Sequence, residues 1–223
     1  MTDARWKQLG GAAGLGYVLV AVGAASLTGE PPAPGASSAE VRDFVLANRT
    51  ELMTQGWLYG LGAALMLWFA FAVRQVLREA AAERHLGDLF FVGTAAIAAL
   101  LVVAMAIQIV VAMSAAHLSA GAVRVVGVDF GLILLGLAGF IVATTAVAYA
   151  VCVLTDGALP RWTGWLALVA AAVNLAGTLG IFVHGGPFSI EGVVTAWLPG
   201  LSVVLWYLGV AVAMLRMGRR QPR

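Results

Sequence analysis

A chain of 223 residues that is 61% hydrophobic and only 11% charged, with a mean hydropathy of +0.94, cannot clothe a soluble domain in polar side chains. Soluble domains carry about 25% charged residues, so the composition points to a membrane protein that crosses the bilayer several times. The small net charge of +2 and the single cysteine, Cys152, exclude a basic nucleic-acid-binding domain, an intrachain disulfide and any paired-cysteine redox or zinc motif.

A spanning helix needs about 20 mostly apolar residues. Six stretches meet that length: 9–28, 54–77, 89–114, 128–154, 163–184 and 194–215. The predicted fold is all-α, a six-transmembrane-helix bundle that fills residues 1–223 as one membrane domain. The first stretch follows Arg5 and Lys7 and contains Val22-Gly23-Ala24-Ala25, which imitates a signal peptide and its cleavage site. Its apolar run exceeds a usual signal core, so it is expected to stay as a helix.

The connection 29–53 is the longest, and it opens with Gly29-Glu30-Pro31-Pro32-Ala33-Pro34-Gly35. Three prolines in four positions hold the chain extended. Ser37 and Glu40 then stand at capping-box spacing, and Val41, Phe44 and Val45 share one helical face, with Arg42, Asp43 and Arg49 largely elsewhere. A short amphipathic helix is predicted there, serving as a lid on the helix ends or as a docking surface for a partner.

Glu51 and Gln55 flank the start of the second span. Acidic and basic residues interleave through 74–88, as on a solvated helix extension. Gln108 lies in the third span, Thr144 and Thr145 in the fourth and Asn174 in the fifth, each able to hydrogen-bond across helices. Asp156-Gly157-Ala158-Leu159-Pro160-Arg161 reads as a tight turn leading to a helix start. Gly10 and Gly14, Gly56 and Gly60, and Gly127 and Gly131 are small-residue pairs that permit close helix approach, within the bundle or between protomers.

Ten of the 13 lysines and arginines fall at the ends and on connections of one side, and Arg42, Arg49 and Arg124 fall on the other. Basic residues collect on the cytoplasmic side, so both termini are predicted cytoplasmic in a cell inner (plasma) membrane. Trp6, Trp162 and Trp165 then sit near the inner interface and Trp57 and Trp197 near the outer one, while Trp68 and Trp206 are expected to pack more deeply.

Two stretches, Ala13-Gly14-Leu15-Gly16-Tyr17 and Leu159-Pro160-Arg161-Trp162-Thr163-Gly164-Trp165-Leu166, resemble a bacterial, actinobacterial-type family of six-helix integral membrane proteins of unknown function. The resemblance implies an inner-membrane bundle and supplies neither a reaction nor catalytic residues.

Asp129 is the only acid within the six apolar stretches, and it is expected in the first turn of the fourth span. An ionisable group at such a position is a functional candidate, because leaving it unpaired in hydrocarbon is costly. His117, His184, Glu51, Gln55, Arg124 and Glu191 share its level at the outer side. Three arrangements are compatible with that level. Asp129 pairs with Arg124 or a histidine to fix packing; Asp129 and His184 serve a small binding or ion-translocating cavity; or His117, His184 and Asp129 with Glu51 or Glu191 form a metal-dependent hydrolase site. No HExxH pair organises the third.

The reading favoured by the sequence is a small, non-enzymatic membrane protein that binds a partner or a small or hydrophobic ligand near its outer face. The ligand-binding candidates are Asp129, His184, His117, Glu51 and Gln55, with no metal or cofactor implied. The bilayer is its surroundings, a membrane-protein partner or a homo-oligomer stays open, and no nucleic acid is expected.

Overall fold

The computed structural model describes residues 3–80 and 84–219. Glu83 of the 74–88 connection, and Arg220 and Arg223 of the basic tail, lie outside the described residues. Among the described residues, six helical segments are long and apolar enough to cross a membrane, and none forms a strand. The chain is an all-α, multi-pass membrane bundle.

The first span is α1 (Asp3–Ala25). After the proline run comes α2 (Ser38–Ala47), then α3 (Arg49–Ala80) and α4 (Arg84–Ser114) as the second and third spans. The fourth span runs Ala120–Asp156 and is interrupted twice. Its pieces are α5 (Ala120–Arg124), a π-helical turn at Val125–Asp129, α6 (Phe130–Leu137) and α7 (Gly139–Asp156). The fifth span is α8 (Arg161–Gly177) continued by a 3₁₀ turn at Thr178–Phe182, and the sixth is α9 (Val193–Arg219).

Boundaries differ from the sequence reading where polar residues continue a helix. The fourth span starts at Ala120 because the Ser119 hydroxyl accepts the Ala122 N–H and caps it. Asp129 therefore sits well inside that helix, at the end of the π turn, and not in its first turn. The second span begins at Arg49, directly after the Asn48 cap of α2.

Each span packs on its neighbours in the chain, and α1 packs on α9, so the six form a ring in sequence order. α3 also touches α7 across the middle. One end of the ring bears the termini and is called here the terminal end. The other carries residues 26–48, 115–119 and 183–192 and is called the loop end.

The terminal half of the interior is filled by rings. Phe69, Phe90, Tyr149, Trp206 and Tyr207 are fully buried, and centroids lie 4.9 Å apart for Trp206 and Tyr207 and 5.4 Å apart for Tyr149 and Trp206. Edge-to-face and tilted pairs of this kind add to the packing gained from their area. Small residues let the helices close around them: a Cβ added at Gly14 would stand 2.6 Å from Phe69 Cδ2, and one at Gly10 would overlap Ala72 Cβ.

Gly157 at φ 70° ends α7, as the Asp156–Arg161 turn requires. At the same end Lys7 pairs with Glu79 at 2.7 Å and Arg74 with Asp88 at 2.6 Å, giving the interleaved charges of the 74–88 region local partners.

Two expectations are corrected. Trp68 is 60% exposed on the outside of the ring, where it meets Trp6 at 5.7 Å, because α3 turns Phe69 inward at the adjacent position. Thr144 and Thr145 bond back to Phe140 and Ile141 of their own helix, not across helices. Arg42, off the apolar face of α2 as expected, donates from its Nε and Nη2 to the Ala115 and Ala116 carbonyls at 3.1 and 3.2 Å, capping the end of α4.

Candidate functional site

The loop half of the ring is only partly filled, by the apolar cluster around Val41, Val45, Leu52 and Val111. A cavity of about 940 Å³ lies between the ends of the spans, beneath the first long connection. α3 contributes Leu52, Gln55 and Tyr59; α4 contributes Gln108 and Val111; the fourth span contributes Arg124, Gly127, Val128 and Leu132. α9 contributes Val193, Ala196 and Trp197, and Glu191 lies just before it. The extended residues 28–34 and the inward face of α2, with Val41, Phe44 and Val45, form the roof.

The roof is held by a local and a distant device. Locally, the Ser37 hydroxyl accepts the Glu40 N–H at 3.2 Å while the Ser37 N–H donates to Glu40 Oε2 at 2.7 Å, the predicted capping box. That N–H holds the Glu40 carboxyl below its ordinary value. Val41 and Val45 are buried against Leu52, Val111, Ala115 and Val123, so α2 is a lid packed on the helix ends. The distant device centres on Arg124. Its guanidinium donates to the Ala36 carbonyl and to Glu191 Oε1, and its Nε stands 3.7 Å from Asp129 Oδ1. Glu191 Oε2 accepts the Gly35 N–H at 2.9 Å. The Gly35 N–H and then Arg124 hold the Glu191 carboxyl below its ordinary value, against the opposing effect of partial burial.

Deeper in the cavity, Gln108 Nε2 donates to the Leu52 carbonyl and to Gln55 Oε1, both at 2.9 Å, and Gln55 Nε2 donates to the Ala24 carbonyl at 3.0 Å. The two amides thereby tie together three spans. The π turn lies along the same wall: Gly127 faces Val111, and a Cβ there would stand 2.9 Å from Val111 Cγ1. Interruptions of this kind recur at functional sites.

Of the residues singled out from sequence, Gln55 lines the cavity and Asp129, His117, His184 and Glu51 do not. Asp129 is 35% exposed beside Arg124. His117, His184 and Glu51 are exposed, and no group of three histidine, cysteine, aspartate or glutamate side chains among the described residues is placed to hold a metal ion. Arg124 and Glu191, placed at the same level from sequence, also line the cavity, but sequence reasoning found neither their pairing nor Tyr59. Gln108 carried a signal, as a lone amide in an apolar run. Asn174, expected to bond across helices, does so between α8 and α9, away from the cavity lining: it donates to Ser202 Oγ at 3.1 Å and to the Pro199 carbonyl at 3.3 Å.

Comparison with protein-family models, with curated proteins and with solved structures found no match for this chain.

Proposed function

We propose that this chain is a non-enzymatic binding protein of a bacterial plasma membrane, which takes a small amphipathic molecule into the cavity at the loop end. The termini lie in the cytoplasm and the cavity faces outward, as the distribution of basic residues favours. The observation that carries the reading is the cavity itself. At about 940 Å³ it has the size of a small-molecule site, with mostly apolar walls and a few converging polar groups. The exposed level of His117 and His184 offers no such enclosure.

Native mass spectrometry of the protein extracted in a mild detergent tests the proposal. The wild type should retain a small amphiphile from the host membrane. Val128→Phe and Leu132→Trp, which place bulk in the cavity, should lose it while keeping their unfolding temperature. Equal retention by the wild type and both variants would remove the reading.

A further inference from the structure

We infer that the ligand reaches the cavity from the bilayer, by outward displacement of α6, and is therefore an amphiphile that partitions into membranes and not a water-borne solute. The inference rests on the cavity being a ligand site.

The fourth span is fixed at two places and loose between them. Toward the loop end, Val123 is fully buried in the cluster of Val41, Val45, Leu52 and Val111. Toward the middle, Ala138 and Gly139 are buried, and a Cβ at Gly139 would stand 2.7 Å from the Asn174 carbonyl oxygen of α8. No residue from 124 to 137 is buried. Val128 and Leu132 line the cavity, while Val126, Phe130, Ile133 and Leu137 are exposed. This stretch is a wall one helix thick between the cavity and the surrounding lipid.

The wall is also broken at both ends of α6. In the π turn the Phe130 N–H bonds to the Val125 carbonyl, five residues back, and at Ala138 ψ is −17°. Helices bend at interruptions of this kind. Near the second break Gly136 faces the 183–192 connection: a Cβ there would stand 2.9 Å from Ile190 Cδ1 and meet nothing else within 4 Å.

The roof is the costlier door. Arg124 and Glu191 tie it at Ala36 and Gly35, Arg42 ties α2 to the end of α4, and lifting α2 would bring Val41 and Val45 into water. α6 is wholly apolar, Phe130-Gly131-Leu132-Ile133-Leu134-Leu135-Gly136-Leu137. Swung outward, it trades side-chain contacts for lipid tails as apolar as leucine, so no hydrophobic penalty opposes the movement. An alkyl tail suited to the apolar walls also concentrates the ligand in the bilayer.

The test is labelling of a thiol placed in the cavity, in the full chain in phosphatidylcholine nanodiscs. Cys152→Ala removes the native thiol and Val128→Cys supplies the new one. N-dodecylmaleimide approaches from the bilayer and a sulfonated maleimide from water. Val110→Cys, exposed on the outside of α4, and Ala39→Cys, exposed on α2, are the respective reference positions. Relative to these references, the dodecyl reagent should label position 128 about ten-fold or more faster than the sulfonated one. Adding Gly136→Cys and Ile190→Cys, oxidised to a disulfide before labelling, ties the wall and should slow the dodecyl reagent several-fold. Ile190→Ala frees Gly136 and should speed it several-fold, a second variant that needs no cross-link. If the sulfonated reagent is the faster, entry is through the roof; the gate falls and the cavity reading stands. If the dodecyl reagent is faster but neither change at Ile190 alters its rate, α6 is not the gate. Labelling by neither reagent overturns the gate as well. If both label position 128 as fast as their references, the site is not enclosed and both readings fall.

Discussion

At the loop end a single guanidinium joins stretches far apart in the chain: Arg124 engages Ala36 and Glu191 and lies beside Asp129. The five-residue spacing to Asp129 was legible in the sequence. The pairing with Glu191, 67 residues away, was not, because it exists only once the ring brings the two connections together. The closer partner is the more important one. Glu191→Gln should lower stability by on the order of 1 kcal/mol, and Asp129→Asn, at 3.7 Å and 35% exposed, by less than about 0.5 kcal/mol. Thermal unfolding in detergent measures both, and a larger loss for Asp129→Asn would reverse this ranking. The Glu191 effect depends on pH. Its folded value is depressed below the ordinary 4.5, so its contribution is complete above 4.5 and is lost as pH falls through the depressed value. The stability gap between the wild type and Glu191→Gln should therefore close in acid; a gap that persists well below 4.5 would contradict the assignment.

The elements follow rules that act over a few residues, and for that reason most were readable in advance. Apolar windows marked the six spans, and Ser37 with Glu40 marked the start of α2. Ser37→Ala should cost about 1 kcal/mol of local stability. It should speed amide exchange through 38–45 and leave the spans unchanged, whereas Ser37→Asp should preserve protection. What the residues did not disclose is which glycines face a neighbour. Gly10 and Gly60 both sit in small-residue pairs, yet an added Cβ would overlap Ala72 at Gly10 and meet nothing within 4 Å at Gly60. Gly10→Ala should destabilise by about 1–3 kcal/mol through overpacking, while Gly60→Ala should be neutral or gain up to about 1 kcal/mol from helix propensity. Similar melting temperatures for the two variants would count against the close α1–α3 packing.

At the scale of the whole molecule, the arrangement of charge sets the expected orientation. A reporter fused after Arg223 should read as cytoplasmic and one inserted within 30–40 as external; the reverse pattern would turn the cavity toward the cytoplasm. The cavity had no signature in the sequence, because it is defined by where the ring is not filled. Fully buried rings fill the terminal half, while aliphatic side chains, two amides and the rings of Phe44, Tyr59 and Trp197 line the cavity of the loop half. The circular order of the spans also bears on biosynthesis. Five of the six seams join helices that leave the ribosome consecutively, so each can form as a hairpin during insertion. The seam between α1 and α9 cannot close until the last helix arrives, and Gly11 and Gly14 wait until then for Leu215 and Ala211. A chain arrested before Val193 is an open hoop with two unmatched edges exposed to lipid and to membrane proteases. Supplying 193–223 as a separate polypeptide should close the hoop and protect the truncated chain from degradation.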